Sequence, residues 1–193
     1  MRDDVDCAMT IEWESAVRDV GRLAALERST LAEIDHEDPF DRLLELAITV
    51  TGAPRGVITY VNAERTTAVS SFGFPEGLDL HAPIAYSFCR FVVATRQPFI
   101  VEDAHHDPRT IGDPAIDAFA AVSWIGYAIE DDDGFILGTF CLMDAEPRQW
   151  SPTDILAVAT LASAATSELA LRKVRAEVAL LRRDAGMTVD PAP

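Results

Sequence analysis

The chain has 193 residues, of which 49% are hydrophobic and 25% are charged, and its formal net charge at pH 7 is −16. This composition is that of a globular protein, with one domain and extensions or at most two small domains. The negative field repels nucleic-acid phosphates and anionic lipid, so we expect neither nucleic acid nor membrane as a partner. The acidic, polar N-terminus is not a signal peptide, and no apolar run approaches the ~18 residues of a membrane span, so we expect a cytoplasmic location.

The first predicted element is an amphipathic signalling helix over 13–37, which follows an acidic tail at 1–12. Apolar residues recur there at spacings of four and three, a heptad-like pattern in which one face needs a partner. They are Trp13, Val17, Val20, Ala24, Leu31 and Ile34. Pro39 disfavours helix at Asp38 and ends the element. A second helix is predicted from Pro39, with Asp38 as its cap, to Gly52.

Strand-forming residues dominate the middle of the chain. A hairpin is predicted within 55–73, where β-branched and aromatic residues are frequent. A connection with glycine and proline follows, then a short helix within 86–95 and a short strand opened by Pro98. The clearest element is a second hairpin around the sequence DDDG, in which Gly134 can adopt a positive φ.

A long helix is predicted after Ser151, which caps it, with Pro152 as its first residue. Its first half has a broad apolar face. Over 166–185 that face narrows to a stripe with the three-four-three spacing of a coiled coil, made of Leu171, Val174, Val178 and Leu181. We therefore expect a homodimer through the helices that flank the domain. Residues 186–193 are predicted to be a disordered tail.

The order of these elements indicates an α+β fold. Hairpin-linked strands with helices at both ends predict an antiparallel sheet with the terminal helices on one face. The helical and loop insertion in the middle of the chain must then cover the other face.

The stretch from Ser87 to about Ala162 resembles the GAF domain family. The likeness is carried by SFCRFVVATRQPFIVEDAHHDPR, by GYAI and by GFILGTFCLMDAEPRQWSPTDILAVATLA. Extended over 38–165, the resemblance implies an antiparallel sheet of five to six strands. It also implies a small-molecule pocket on the face opposite the terminal helices, roofed by the 86–95 helix and the 103–120 loop. It also implies a ligand such as a cyclic nucleotide, bilin, haem or small metabolite, or no ligand and simple dimerisation.

Two cysteines fall within this predicted domain. Cys89 opens a short helix and precedes Arg90, a setting that can activate a thiol. Free cysteine is nevertheless among the most buried residue types, so we favour packing as the role of both Cys89 and Cys141. Strand alternation places Thr139, Cys141 and Met143 on one face. A facing pair of cysteines would support a thiol-redox enzyme or sensor similar to methionine sulfoxide reductase, although that enzyme needs more cysteines than this chain has near its pocket.

Eight residues are candidates for the pocket. They are Ser87, Cys89, Asp103, Phe119, Trp124, Tyr127, Thr139 and Cys141. Asp103 ends a strand, so its carboxylate either caps the next loop or points at the pocket. The aromatic residues suit a small-ligand site, with core packing as the alternative.

Metals, cofactors and catalysis find little support in the sequence. The EDAHHDPR segment is more typical of a solvated turn than of a zinc site. Neither cysteine has the surroundings of a bilin attachment site, and the histidines are poorly placed as axial ligands of haem. Because no catalytic motif is present, we predict a protein that is not an enzyme.

Besides the thiol-redox enzyme or sensor, two functions therefore stay open. The first is a sensor or regulatory module, with a small ligand or none, that relays a signal through a helical dimer. The second is a ligand-free scaffold that binds a signalling protein such as a kinase, a phosphatase or a sigma-factor regulator.

Overall fold

The computed structural model describes residues 11–29, 31 and 39–184. The helices of this part are α1 (Glu14–Val17), α2 (Val20–Arg28), α3 (Pro39–Thr51), α4 (Cys89–Thr95), α5 (Ala115–Ala118) and α6 (Pro152–Asp184). The strands are β1 (Arg55–Val61), β2 (Arg65–Phe72), β3 (His81–Pro83), β4 (Phe99–Val101), β5 (Ser123–Glu130) and β6 (Ile136–Asp144). A 3₁₀ turn at Ile84–Tyr86 joins β3 to α4.

The six strands form one antiparallel sheet in the order β3-β2-β1-β6-β5-β4. The predicted α+β fold with five to six strands is thereby confirmed, and both predicted hairpins are present. Gly134 has the expected positive φ in the turn between β5 and β6. Strand β3 was not predicted, and it lies in the segment that the sequence indicated as a connection. A strand of three residues that ends in a proline carries almost no periodic pattern.

Each face of the sheet has its own core. On one face, β5 and β6 present Ile125, Phe140 and Leu142 to α2, α3 and α6. On the other, they present Trp124 and Cys141 toward α4, with α1 and α5 beside it. The terminal helices α3 and α6 thus share one face, as predicted, and the second face carries the inserted elements. We call this second face the insertion face.

The N-terminal segment differs from its prediction. One continuous helix over 13–37 is wrong for the described residues, because α1 ends at Val17 and α2 begins at Val20. The Asp19 side chain accepts a hydrogen bond from the Arg22 amide at 2.7 Å, so it caps a new helix where the heptad pattern indicated a helix interior. Val20 is 80% exposed, although the pattern placed it on the apolar stripe. Residues 30 and 32–38, Ile34 among them, lie outside the described residues, as do the acidic residues at 1–10 and the tail from 185.

Arg22 anchors this segment to the sheet. Its side chain is buried, and its guanidinium donates to the carbonyls of Val61 at 2.7 Å, Ile136 at 3.2 Å and Val17 at 2.5 Å. Burial lowers the pKa of Arg22, and the nearby Asp19 carboxylate opposes that effect. One cation therefore joins the α1–α2 break to the end of β1 and the start of β6. The segment packs within its own chain, which leaves less of it to pair with a second chain.

Helix α6 begins as predicted. The Asp154 amide donates to Ser151 Oγ at 3.2 Å, and the Ser151 amide donates back to the Asp154 carboxylate at 3.0 Å. By length and composition alone, α6 also passes as a membrane span. Its first half packs on the sheet through Val158, Ala165 and Leu169, as a core helix of a globular domain does.

Replacement of Arg22 by methionine tests the anchoring role. Arg22→Met fills much of the same space but leaves three carbonyls without their donor, so we expect the free energy of unfolding to fall by about 3 kcal/mol. Urea denaturation followed by circular dichroism measures this change. Arg18→Met, at an exposed position four residues earlier, is the matched control and should change stability by less than about 0.5 kcal/mol. Equal stability of the two variants would contradict the role given to Arg22.

Candidate functional site

A small cavity lies on the insertion face, under α4 and α5. Its volume is about 40 Å³. It is lined by Val57, Thr59, Thr66, Phe74, Leu80, Tyr86, Ser87, Phe88, Cys89, Ala115, Phe119, Ala121, Trp124, Cys141 and Met143. One water needs roughly 10–15 Å³, whereas ligand pockets usually start near 300 Å³. In this conformation the cavity therefore admits about three water-sized molecules at most.

Aromatic rings occupy most of the space beside the cavity. Phe88, Phe91, Phe99 and Trp124 form one cluster, with ring centroids between 4.8 and 6.1 Å apart. Gly126 makes room for it, since a Cβ at that position would lie 2.2 Å from the Trp124 ring. A larger ligand can enter only if these rings move.

Two thiols and two threonine hydroxyls meet at the buried end of the cavity. Thr139 Oγ1 donates to Cys89 Sγ at 3.1 Å, and Thr59 Oγ1 lies 2.9 Å from Thr139 Oγ1 and 3.7 Å from Cys89 Sγ. Cys141 Sγ donates to the Val57 carbonyl at 3.3 Å and accepts from Thr139 Oγ1 at 3.9 Å. All four side chains are buried. We call these four residues the thiol cluster.

The two thiols of the cluster differ in acidity. The neighbouring Cys141 thiol, and then the hydroxyls of Ser87, Thr139 and Thr59, outweigh burial and lower the pKa of Cys89 from 9.0 to about 6. Burial raises the pKa of Cys141 well above its usual value. Cys89 is therefore the thiol that ionises first, in contact with a protonated partner.

Arg90 ties the roof of the cavity together. It is buried and forms an ion pair with Asp113, which precedes α5. It also donates to the Ser87 carbonyl at 2.7 Å and lies over the rings of Phe91 and Trp13, at 4.2 and 5.7 Å from their centroids. Burial lowers the pKa of Arg90, and Asp113 opposes that shift. A single side chain thus connects α4, the loop before α5 and the N-terminal segment.

Most of the candidates chosen from the sequence meet at this site. Five of them line the cavity, namely Ser87, Cys89, Phe119, Trp124 and Cys141. Thr139 lies one hydrogen bond away, in the thiol cluster. Thr139 and Cys141 share a face, as alternation along β6 predicted.

Two candidates lie elsewhere. Tyr127 lies on the opposite face of the sheet, because it is three residues from Trp124 and alternation turns its side chain toward α6. Asp103 caps the next loop, as one of its two predicted roles required: it accepts from the His105 amide at 3.1 Å and pairs with His106 Nδ1 at 2.8 Å. The hydrogen bond from His106 lowers the pKa of Asp103. Neither residue lines the cavity.

Sequence reasoning missed Thr59 and Arg90 as members of the site. Thr59 is the direct cross-strand partner of Thr139, a pairing that needs the register of β1 against β6. Arg90 was considered only as a neighbour of Cys89, since its partner Asp113 lies 23 residues away. Among the described residues, no group of three or more histidine, cysteine, aspartate or glutamate side chains is arranged to hold a metal ion.

Titration of the thiols tests the acidity of Cys89. With Cys7 replaced by serine, the ultraviolet absorbance of thiolate should rise with a midpoint near pH 6, because the pKa of Cys89 is lowered to about 6. Since the folded protein then holds this thiolate more readily than the unfolded chain, Cys89 adds stability as pH rises from about 6 toward 9. Cys89→Ser should abolish the step, and Cys141→Ala should move it upward. A midpoint near 9 before and after Cys141→Ala would contradict this assignment.

Comparison with known proteins agrees with the fold. The family model of the GAF domain matches residues 35–169. A cyclic di-GMP phosphodiesterase of Pseudomonas aeruginosa is 27% identical over 129 residues, which cover 66% of this chain and 21% of that protein. The chain thus matches about a fifth of the length of this relative.

Solved structures show the same architecture. The GAF domain of Thermosynechococcus elongatus PixJ, in its blue-light absorbing form, superposes with a TM-score of 0.59 at 17% identity, over 86% of this chain and 98% of that one. Residues 122 to 287 of a methyl-accepting chemotaxis protein give a TM-score of 0.56 at 18% identity, over 79% and 98% of the two chains. Because the family model covers well over half of the sequence, the chain belongs to the GAF domain family.

Proposed function

We propose that this chain is a cytoplasmic signal-transduction module that senses a change at the cavity and relays it through a parallel homodimer of α6. The observation that carries the proposal is the form of α6, which runs without a break from the core of the domain to an exposed apolar stripe. Membership of the GAF family supports a regulatory role. So do the names of its relatives, which include a chemotaxis protein and a cyclic di-GMP phosphodiesterase.

The second half of α6 supports the dimer. Leu171, Val174, Val178 and Leu181 are between 39% and 67% exposed, and their spacing is that of heptad positions a and d. In one chain these side chains have water around them. A second α6, packed in parallel, would bury all four in a coiled-coil seam.

Charge at the edges of the stripe favours the parallel arrangement. With Leu171 and Val178 at position a, Glu177 falls at g and Arg182 at e of the following heptad. In a parallel two-stranded coiled coil, a g residue lies beside the e residue five positions later in the partner. Glu177 of each chain would therefore meet Arg182 of the other, and opposite charges at this step favour the parallel orientation. Both side chains are exposed in the single chain.

The proposed signal begins as a change at the cavity. It lies on the opposite face of the sheet from α6, and β6 contributes to both faces through Cys141 on one side and Phe140 on the other. A change in the cavity can therefore reach α6 through a single strand. Such a change would act only by favouring one arrangement of the helices over another.

A ligand-free scaffold is the second candidate, and the small volume of the cavity favours it. With only about 40 Å³ beside a packed aromatic cluster, the domain can serve to bind a signalling protein without a metabolite. Native mass spectrometry of the purified protein separates the two candidates. A retained metabolite favours sensing of that molecule, and the bare protein mass favours the scaffold or an input no larger than a few atoms.

Exchange of the two charges tests the parallel dimer. Glu177→Arg should raise the dissociation constant about tenfold, since each dimer then holds two repulsive pairs in place of two attractive ones. Arg182→Glu should do the same. The double variant restores opposite charges and should recover most of the affinity. Sedimentation equilibrium measures all three.

A matched control uses the other side of the helix. Ala179→Glu adds a charge at an exposed position off the seam and should leave the dissociation constant within about twofold. A wild-type chain that stays monomeric at high concentration would refute the dimer. A double variant as weak as the single ones would refute the parallel orientation.

A further inference from the structure

We propose that Cys89 and Cys141 form a peroxide-responsive dithiol, in which hydrogen peroxide entering the cavity oxidises Cys89 and Cys141 resolves the product as an intrachain disulfide. The inference rests on the proposed sensory function and names its input. Both sulfurs line the same cavity, and Thr139 Oγ1 lies 3.1 Å from Cys89 Sγ and 3.9 Å from Cys141 Sγ, so the two sulfurs are already neighbours of one hydroxyl.

The size of the cavity selects the oxidant. A space of about 40 Å³ is large enough for hydrogen peroxide, which has two oxygen atoms, and too small for a bulky hydroperoxide or for glutathione disulfide. The cavity extends from Tyr86, which is exposed, past the half-buried Phe74 and Leu80 to the buried Cys89. A small neutral molecule can therefore reach the sulfur from solvent along a largely apolar path.

Hydrogen-bond donors surround the sulfur that reacts. Thr139 donates to Cys89 Sγ, and Thr59 contacts both of these side chains, so the hydroxyls can stabilise negative charge on this sulfur without a metal. The thiolate is the nucleophilic form of cysteine, and its pKa of about 6 keeps Cys89 largely ionised at neutral pH. Cys141, whose pKa is raised, keeps its proton until the second step.

The chemistry balances in two steps. The Cys89 thiolate attacks one peroxide oxygen, the O–O bond breaks, and the hydroxide that leaves takes a proton to become water, which gives a sulfenic acid at Cys89. The Cys141 sulfur then attacks the Cys89 sulfur, the S–O bond breaks, and the hydroxide released takes the Cys141 proton to leave as a second water. The two thiols lose two electrons in total, and the peroxide gains them.

The product strains the roof of the cavity. A covalent bond between two sulfurs is shorter than any non-bonded separation of them, so disulfide formation draws the first turn of α4 toward β6. Arg90 follows Cys89 directly and holds Asp113, Trp13 and the Ser87 carbonyl. A shift of α4 therefore moves the loop before α5 and the N-terminal segment together.

Peptide mapping after oxidation of the full chain tests the proposal, with Cys7 replaced by serine in every variant. Brief treatment with hydrogen peroxide should give a Cys89–Cys141 disulfide and the loss of two hydrogen atoms from the intact mass. In Cys141→Ser, dimedone should trap a sulfenic acid at Cys89. In Cys89→Ser, Cys141 should give no adduct. Thr139→Val should slow oxidation about threefold at pH 7, because a less acidic thiol is less ionised, although its thiolate is more nucleophilic.

Selection by size has its own control. The quantity compared is the rate of oxidation by tert-butyl hydroperoxide divided by the rate of oxidation by hydrogen peroxide. This ratio should be at least tenfold lower for the folded protein than for the chain unfolded in guanidinium. Three outcomes would each overturn the proposal. The ratio of the two rates could be equal in the folded and unfolded states, or dimedone could label Cys141 ahead of Cys89. The third outcome is a folded protein that forms no disulfide while its Cys141→Ser variant gives no adduct. Sedimentation of the reduced protein reports the α6 dimer separately, so failure of the thiol chemistry and failure of the relay are distinguishable.

Discussion

Burial of β6 on both faces is the constraint on which the rest of the molecule depends. Every residue from Ile136 to Met143 is buried, and the strand pairs with β1 on one side and β5 on the other. Its side chains must therefore fill two cores at once, with Phe140 and Leu142 under the terminal helices and Cys141 and Met143 under the insertion. Gly138 even lies against the Thr59 carbonyl so closely that a Cβ would come within 1.9 Å of it. The buried hydroxyl of Thr139 on this strand has a hydrogen-bond partner on the neighbouring strand, the hydroxyl of Thr59.

The sequence predicted the fold well because long elements repeat their signals. The β5–β6 hairpin and α6 each combine a periodic apolar pattern with a turn or cap, so several residues indicate the same element. The prediction for the N-terminal segment was wrong because a single residue, and not several, decides the structure there. Its heptad pattern was genuine as spacing, but one aspartate, Asp19, caps a new helix and turns Val20 outward. The hydrogen bond from this one side chain thus marks a helix break that the spacing of the apolar residues did not predict.

The site was predicted in part, and the errors have geometric causes. Trp124 and Tyr127 look alike as aromatic residues near a pocket, but strand alternation sends them to opposite faces. Thr59 has no local signal at all, because its role depends on which residue lies across from it in β6. Arg90 and Asp113 depend on the path of a loop that periodicity does not describe. Residues whose role depends on a partner far away in the chain thus cannot be predicted from one sequence. Residues that share a face of a single strand can be.

The thiol cluster places polar chemistry in an otherwise apolar wall. Aromatic packing keeps the cavity small, and four buried side chains at its end satisfy one another. This combination suits a domain that responds to a very small molecule better than one that encloses a metabolite. It also explains why two cysteines are compatible with a well-packed core. Each fills the volume of a small apolar side chain and still has hydrogen-bond partners.

The continuity of α6 has a mechanical consequence. With a rise of about 1.5 Å per residue, the 14 residues that follow Leu169, the last buried position, up to Arg183 extend about 20 Å. A tilt of only about 10° where the helix rests on the sheet displaces its far end by roughly 4 Å, close to the width of one side chain. The helix is thus a lever whose packed part, from Pro152 to Leu169, is about as long as the part that follows it. Adjustments of a few ångströms beneath the packed part therefore reappear at similar size at the far end, where they change which residues of a neighbouring helix it touches.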